Sequence, residues 1–237
     1  MVYCPKPRER GDRMRYQGVF FDFDYTLGDS TGAIAEGYRR GFAAMGWPEP
    51  TVEQVRATVG MRLEDGYTFI TGDGDRSRQA EFHRLFMYSV GVKAQGKDRM
   101  LMIEGTRLLP GAVELLTALK RAGIPAAIVS TKPGETLRRI FEYYGHLDLL
   151  ALVIGGDEVA RSKPDPEGVR LALDRLGLTA DRVLFCGDTV IDAATARAGG
   201  CDFCAVLGGA TPREAFADYP HVHIADNLAG LQSWLGL

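Results

Sequence analysis

Gly18-Val19-Phe20-Phe21-Asp22-Phe23-Asp24-Tyr25-Thr26-Leu27 decides the fold of this chain. Residues 19–23 are a short apolar run bounded by Gly18 and Asp24, which predicts a strand buried on both faces of a sheet. Further candidate strands stand at 126–129, 149–154, 183–186, 203–207 and 221–224. Helical patterns separate them. Ala112, Leu115, Leu116 and Leu119 share one stripe, Leu137, Ile140, Phe141 and Tyr144 a second, and Val169, Ala172, Leu173 and Leu176 a third. Pro110, Pro133 and Pro166 stand where first helical positions are expected, and Gly123, Gly145, Gly177 and Gly199 where C-terminal caps are expected.

Strands alternating with helices predict an α/β fold, a Rossmann-like parallel sheet core with helices on both faces. Residues 29–106 break the rhythm: they hold no convincing buried strand, and their patterns are helical at 32–45, 52–59 and 76–90. They read as an inserted all-helical cap domain. The core is then discontinuous, 1–28 and 107–237, with 1–13 expected to be a disordered tail or an over-called start and given no functional weight.

With 237 residues, 46% of them hydrophobic, the chain is long enough for one sizeable domain or a core with a smaller insertion. A net charge of −3 argues against nucleic-acid binding, which needs clustered Lys and Arg. An anionic substrate must therefore be held by local cations and backbone amides. No apolar run approaches the roughly 20 residues that span a bilayer, and the polar, basic N-terminus does not read as a secretory signal. The expectation is a cytoplasmic protein without membrane or nucleic-acid partners, monomeric or homodimeric. Cys4, Cys186, Cys201 and Cys204 are too uneven for a disulfide framework. Cys201-x-x-Cys204 lacks a second ligand pair and reads as small apolar residues at a strand.

The chemistry sits at the strand ends. Asp22 and Asp24, two apart on an extended chain, project from one side at the carboxyl edge of the sheet, where ligands bind; alone they read equally as turn aspartates. Ser130-Thr131-Lys132-Pro133 leads into a helix, where a hydroxyl suits phosphate oxygens or serves as an N-cap. In Ser162-Lys163-Pro164-Asp165-Pro166 the prolines stiffen the loop that delivers Lys163, whose ammonium can neutralise a phosphoryl group and the carboxylate attacking it. Asp188 and Asp192, four apart, share a face if a helix begins there, and they repel unless a cation sits beside them.

Together, Asp22-Phe23-Asp24-Tyr25-Thr26-Leu27, Ser130, Lys163-Pro164-Asp165 and Gly187-Asp188-Thr189-Val190-Ile191-Asp192 resemble the four ordered motifs of the haloacid dehalogenase superfamily. The insertion resembles that family's alpha-helical C1-type cap. Around Ile154-Gly155-Gly156-Asp157 and Lys163-Pro164-Asp165-Pro166-Glu167 the chain resembles the phosphoglycolate-phosphatase type most. The resemblance implies a Mg2+-dependent phosphatase acting on a small phosphorylated metabolite. Asp22 would be the nucleophile that forms an aspartyl-phosphate, and Asp24 the general acid and base. Ser130 and Thr131 would hold phosphate oxygens, with Lys163 balancing their charge. Mg2+ would be bound by Asp22, the backbone carbonyl of Asp24 and Asp188, with Asp192 acting through water or orienting its neighbours. Arg62 would face the site and bind a carboxylate or second phosphate; its alternative is an exposed arginine at a helix start. Asp24 argues against dehalogenation, since halide departure needs no proton. Tyr25 departs from the pattern, which usually has Gly there.

Two other readings stay open. A sugar phosphomutase of the beta-phosphoglucomutase type would use the same Asp22 and Asp24, although such relatives usually carry adjacent acids in the last motif. A non-catalytic phosphate-binding protein would not turn over any ester. The acidic turn at 71–77 would need an acid, not Arg84, to complete a calcium loop. His221 and His223 have no companion ligands, and no Gly-x-x-x-x-Gly-Lys-[Ser/Thr] loop is present.

Overall fold

The computed structural model describes residues 16–91, 93–209 and 211–237; the expected tail and Cys4 lie outside the described residues. The chain opens with β1 (Gly18–Phe21) and β2 (Gly28–Asp29), then α1 (Thr31–Met45), α2 (Val52–Thr58), α3 (Leu63–Thr71), α4 (Arg76–Ser89) and α5 (Leu101–Glu104). It continues through β3 (Arg107–Leu108), α6 (Ala112–Arg121), β4 (Ala126–Val129), α7 (Gly134–Tyr143), β5 (Leu152–Ile154) and α8 (Glu167–Leu176). It closes with β6 (Val183–Gly187), α9 (Val190–Gly199), β7 (Asp202–Val206), β8 (His223–Ala225) and α10 (Leu228–Leu235).

Six strands pair in parallel in the order β5-β4-β1-β6-β7-β8. The chain builds outward from β1 to one edge and then crosses to the other side, so β1 lies at the point where strand order reverses. Phe21 is level with Ile128 on β4 and with Cys186 on β6. The residues that follow these strands therefore emerge at one carboxyl edge, the usual ligand site of such sheets. The pleat sends Val19 and Phe21 into the core under α6, α7 and α10, and Phe20 into the core under α8 and α9. The expected fold class holds.

Boundaries differ for local reasons. β1 stops at Phe21 because the Phe23 carbonyl accepts from the amides of Thr26, Leu27 and Gly28, which turns the chain. The expected strand at 149–154 starts at Leu152, since Leu147–Leu149 is a 3-10 turn. Pro133 and Pro166 stand just before the first helical residue and not at it, and Pro110 is separated from α6 by Gly111. α9 runs through Gly199, so its left-handed cap is Gly200 (φ 77).

Between β2 and β3 there are only helices among the described residues, and that two-residue antiparallel ribbon joins the two ends of the insertion. These helices bury a cluster of their own, with the Phe82 ring centroid 4.9 Å from Tyr38, 5.4 Å from Phe42 and 5.5 Å from Tyr67. Gly37 and Gly41 lie one turn apart on α1, and a Cβ at either would collide with the rings of Phe86 and Phe82. Their bareness is what lets α1 and α4 approach. The acidic turn is a structural one: Asp73 accepts from Tyr67 Oη at 2.7 Å and pairs with Arg78 at 2.8 Å. Among the described residues no helix is long and apolar enough to cross a membrane.

Candidate active site

Asp22 directly follows β1, and its amide donates to the Cys186 carbonyl at 2.9 Å, which fixes it beside β6. The turn that follows is tight enough to put Tyr25 at φ 59, in the left-handed region. That conformation turns the chain back to the same edge, where Thr26 Oγ1 donates to Asp188 Oδ1 at 3.2 Å. Asp22, Asp24, Ser130 and Asp188 are all buried.

Two cations divide the aspartates between them. Lys163 Nζ stands 2.8 Å from Asp22 Oδ1 and 2.6 Å from Asp192 Oδ1. Burial alone would pull its pKa down, but Asp192 and Asp22 outweigh burial and hold it above the ordinary lysine value. Lys132 Nζ pairs instead with Asp24 Oδ2 at 3.1 Å, while Asp24 Oδ1 has no donor among the described residues.

Asp188 precedes α9 and does not share a helical face with Asp192. Thr189 caps α9, and Asp192 completes a capping box with it, its Oδ2 accepting from the Thr189 hydroxyl at 2.6 Å and amide at 3.1 Å. The loop nevertheless gathers one carboxylate oxygen each from Asp22, Asp188 and Asp192 within 4.8 Å of one another. Burial, then the carboxylates of Asp192 and Asp22, push Asp188 up to about 9. Three acids facing one ammonium leave excess negative charge among oxygen donors, which suits a hard divalent cation.

Ser130 and Thr131 follow β4 as expected. The α7 start is less open than expected, because the Gly134 amide donates to Asp157 at 2.7 Å. Thr131 Oγ1 instead reaches the Gly60 carbonyl of the insertion at 3.4 Å. A cavity of about 440 Å³ lies between the sheet edge and the inserted helices, with Asp24, Thr131, Lys132 and Arg62 on its wall. Arg62 itself is largely exposed and stands 3.7 Å from Glu64, which His83 engages at 2.7 Å.

Sequence reasoning missed Lys132 and the Glu64–His83 pair. Lys132 lies in the quoted 130–133 segment, and a cation just past a strand end was its available signal. Nothing in the spacing of Glu64 and His83 announces their meeting, since they come from different helices.

Comparison with known proteins agrees with this geometry. A phosphoglycolate phosphatase from Rhodobacter capsulatus is 31% identical over 220 residues, 91% of this chain and 97% of that protein. One from Rhodospirillum rubrum is 38% identical over 134 residues, where the match spans 56% of this chain and only 55% of that protein. Among solved structures, a haloacid dehalogenase-like hydrolase from Bacteroides fragilis superposes with a TM-score of 0.84 at 33% identity, covering 91% of this chain and 99% of that one. The family described as haloacid dehalogenase-like hydrolase matches residues 19–206, from the first residues of β1 to the end of β7 and thus across every acid and lysine just described. On that extent of sequence and this arrangement of strand ends, the chain belongs to the haloacid dehalogenase-like hydrolase family.

Proposed function

We propose that this hydrolase is a magnesium-dependent phosphatase of small phosphate monoesters, with phosphoglycolate as the reference substrate that its relatives' names suggest. One observation carries the reading. Two buried carboxylates on one turn have separate cationic partners, Lys163 for Asp22 and Lys132 for Asp24, so they are equipped for different tasks.

Asp22 attacks phosphorus while Asp24 gives a proton to the departing alkoxide, so the ester P–O bond breaks as the aspartyl-phosphate forms. Asp24 then takes a proton from water, which displaces Asp22 and releases phosphate. Ser130, Thr131 and nearby amides hold the phosphate oxygens, and Lys163 offsets their charge. Asp192 holds the Lys163 ammonium and so positions it. Magnesium held by Asp22, Asp188 and the Asp24 carbonyl would supply the countercharge that lets a carboxylate approach a phosphate dianion. Residues 29–106 act as a cap that closes the site from water.

The test is phosphate release from a panel of monoesters with magnesium, run beside two variants. Asp22→Asn should lose about 10³-fold or more of kcat, and Asp24→Asn about 10²–10⁴-fold. Activity that persists in Asp22→Asn would mean a different nucleophile. An isomerised sugar phosphate in place of free phosphate would mean a mutase.

A further inference from the structure

Asp24, the acid assigned to the leaving oxygen, is also a wall residue of the 440 Å³ cavity. Whatever the phosphoryl group is bonded to must therefore extend from Asp24 into that space. Pockets of about 300–1,000 Å³ enclose ligands of drug size. Glycolate, two carbons ending in a carboxylate, fills only a small part of such a volume.

The wall also has a broad apolar side. The Met102 sulfur stands 3.9 Å from the Lys132 ammonium, beside Asp24, and continues the wall as an apolar surface. Ile34, Met61, Phe86 and Met87 extend it on the side of the inserted helices. Methionines fit irregular apolar bodies, since they repack around what they touch. A substrate carboxylate would want an unshared cation. Of the wall's cations, Lys132 already pairs with Asp24, and Arg62 stands 3.7 Å from Glu64.

We infer that the preferred substrate is a phosphate monoester whose alcohol part carries an apolar body the size of a ring, and not a compact hydroxy acid; this rests on the phosphatase reading of the site. Hydrolysis leaves the ring-bearing alcohol and inorganic phosphate, with water supplying both the proton and the oxygen.

The experiment compares kcat/KM for 2-phenylethyl phosphate, 2-phosphoglycolate and glucose 6-phosphate, all of which release alkoxides, in magnesium buffer. The phenylethyl ester should lead the other two by about tenfold or more, the scale on which an apolar pocket discriminates. Met61 is half-buried on the cavity wall. Met61→Gln, similar in size but polar, should cut the phenylethyl value about tenfold and the phosphoglycolate value by much less. A lead for phosphoglycolate or glucose 6-phosphate, or an equal loss on all three esters in Met61→Gln, overturns the inference while leaving the phosphatase reading intact. No phosphate from any ester removes that reading, and the inference with it.

Discussion

Tyr25 holds a backbone conformation that costs an L side chain about 1–2 kcal/mol. Its contacts offset this: the hydroxyl lies 2.7 Å from Thr31 Oγ1 at the start of α1, and the Arg56 guanidinium of α2 lies 6.0 Å from its ring centroid. Tyr25→Ala keeps the strain and loses the contacts, whereas Tyr25→Gly loses the contacts and the strain together. The Gly variant should therefore be the more stable of the two by about 1 kcal/mol, read from denaturant unfolding; the reverse order would mean that the turn is unstrained. Asp188 poses the opposite case, an acid crowded against Asp22 and Asp192. Folding must either bury its charge among the other acids or protonate it, so Asp188→Asn should stabilise the metal-free protein by about 0.5–2 kcal/mol while activity collapses. A lower melting temperature for that variant in EDTA counts against the crowding of these acids. Lys132→Ala should cost about 3–5 kcal/mol, because it strands the buried Asp24 carboxylate. Of these residues, Asp22, Asp24, Ser130 and Asp188 were legible in the sequence because each follows a strand, and parallel strands deliver their ends to one edge. Lys163 was legible from the prolines around it. The pairing of Asp192 with Lys163 was not, since it depends on where α9 starts, and a four-residue spacing is silent about that.

At the scale of elements, what could be read was what carries its own pattern. The six sheet strands are short apolar runs between turn residues, and the stripes of α6, α7 and α8 have a clear period. α3 escaped because Leu63, Tyr67 and Ile70 are its only large apolar positions besides exposed Phe69, and Gly66, Thr68 and Thr71 are weak helix formers. Its hold on the structure is tertiary, through Tyr67 stacking on Phe82. β2 and β3, two residues each, exist only because the ends of the insertion must run side by side, which no local signal encodes. The aromatic cluster of the insertion is correspondingly its main support. Phe82→Ala removes the ring at its centre and should cost about 3–5 kcal/mol, with the gain in amide exchange concentrated in α1, α3 and α4. If protection were lost equally from β1, β4 and β6, the insertion would not be packing around a centre of its own.

Across the whole molecule, the acids that gather at one edge come from distant parts of the chain, Asp22 after β1 and Asp188 after β6, while the insertion builds its own core between β2 and β3. A divalent cation held there would therefore clamp the middle of the sheet and leave the packing of the inserted helices untouched. A ligand present at 100 times its Kd and binding only the folded chain adds about 2.7 kcal/mol. For a protein of this size that is about 5–10 °C in melting temperature. Magnesium should produce such a rise over EDTA in the parent and little in Asp188→Asn, and it should slow amide exchange in β1 and β6 more than in α1 or α4. A rise of equal size in the variant would place the cation elsewhere. Slowing confined to α1 and α4 would mean that metal binding is felt through closure of the insertion and not through the sheet.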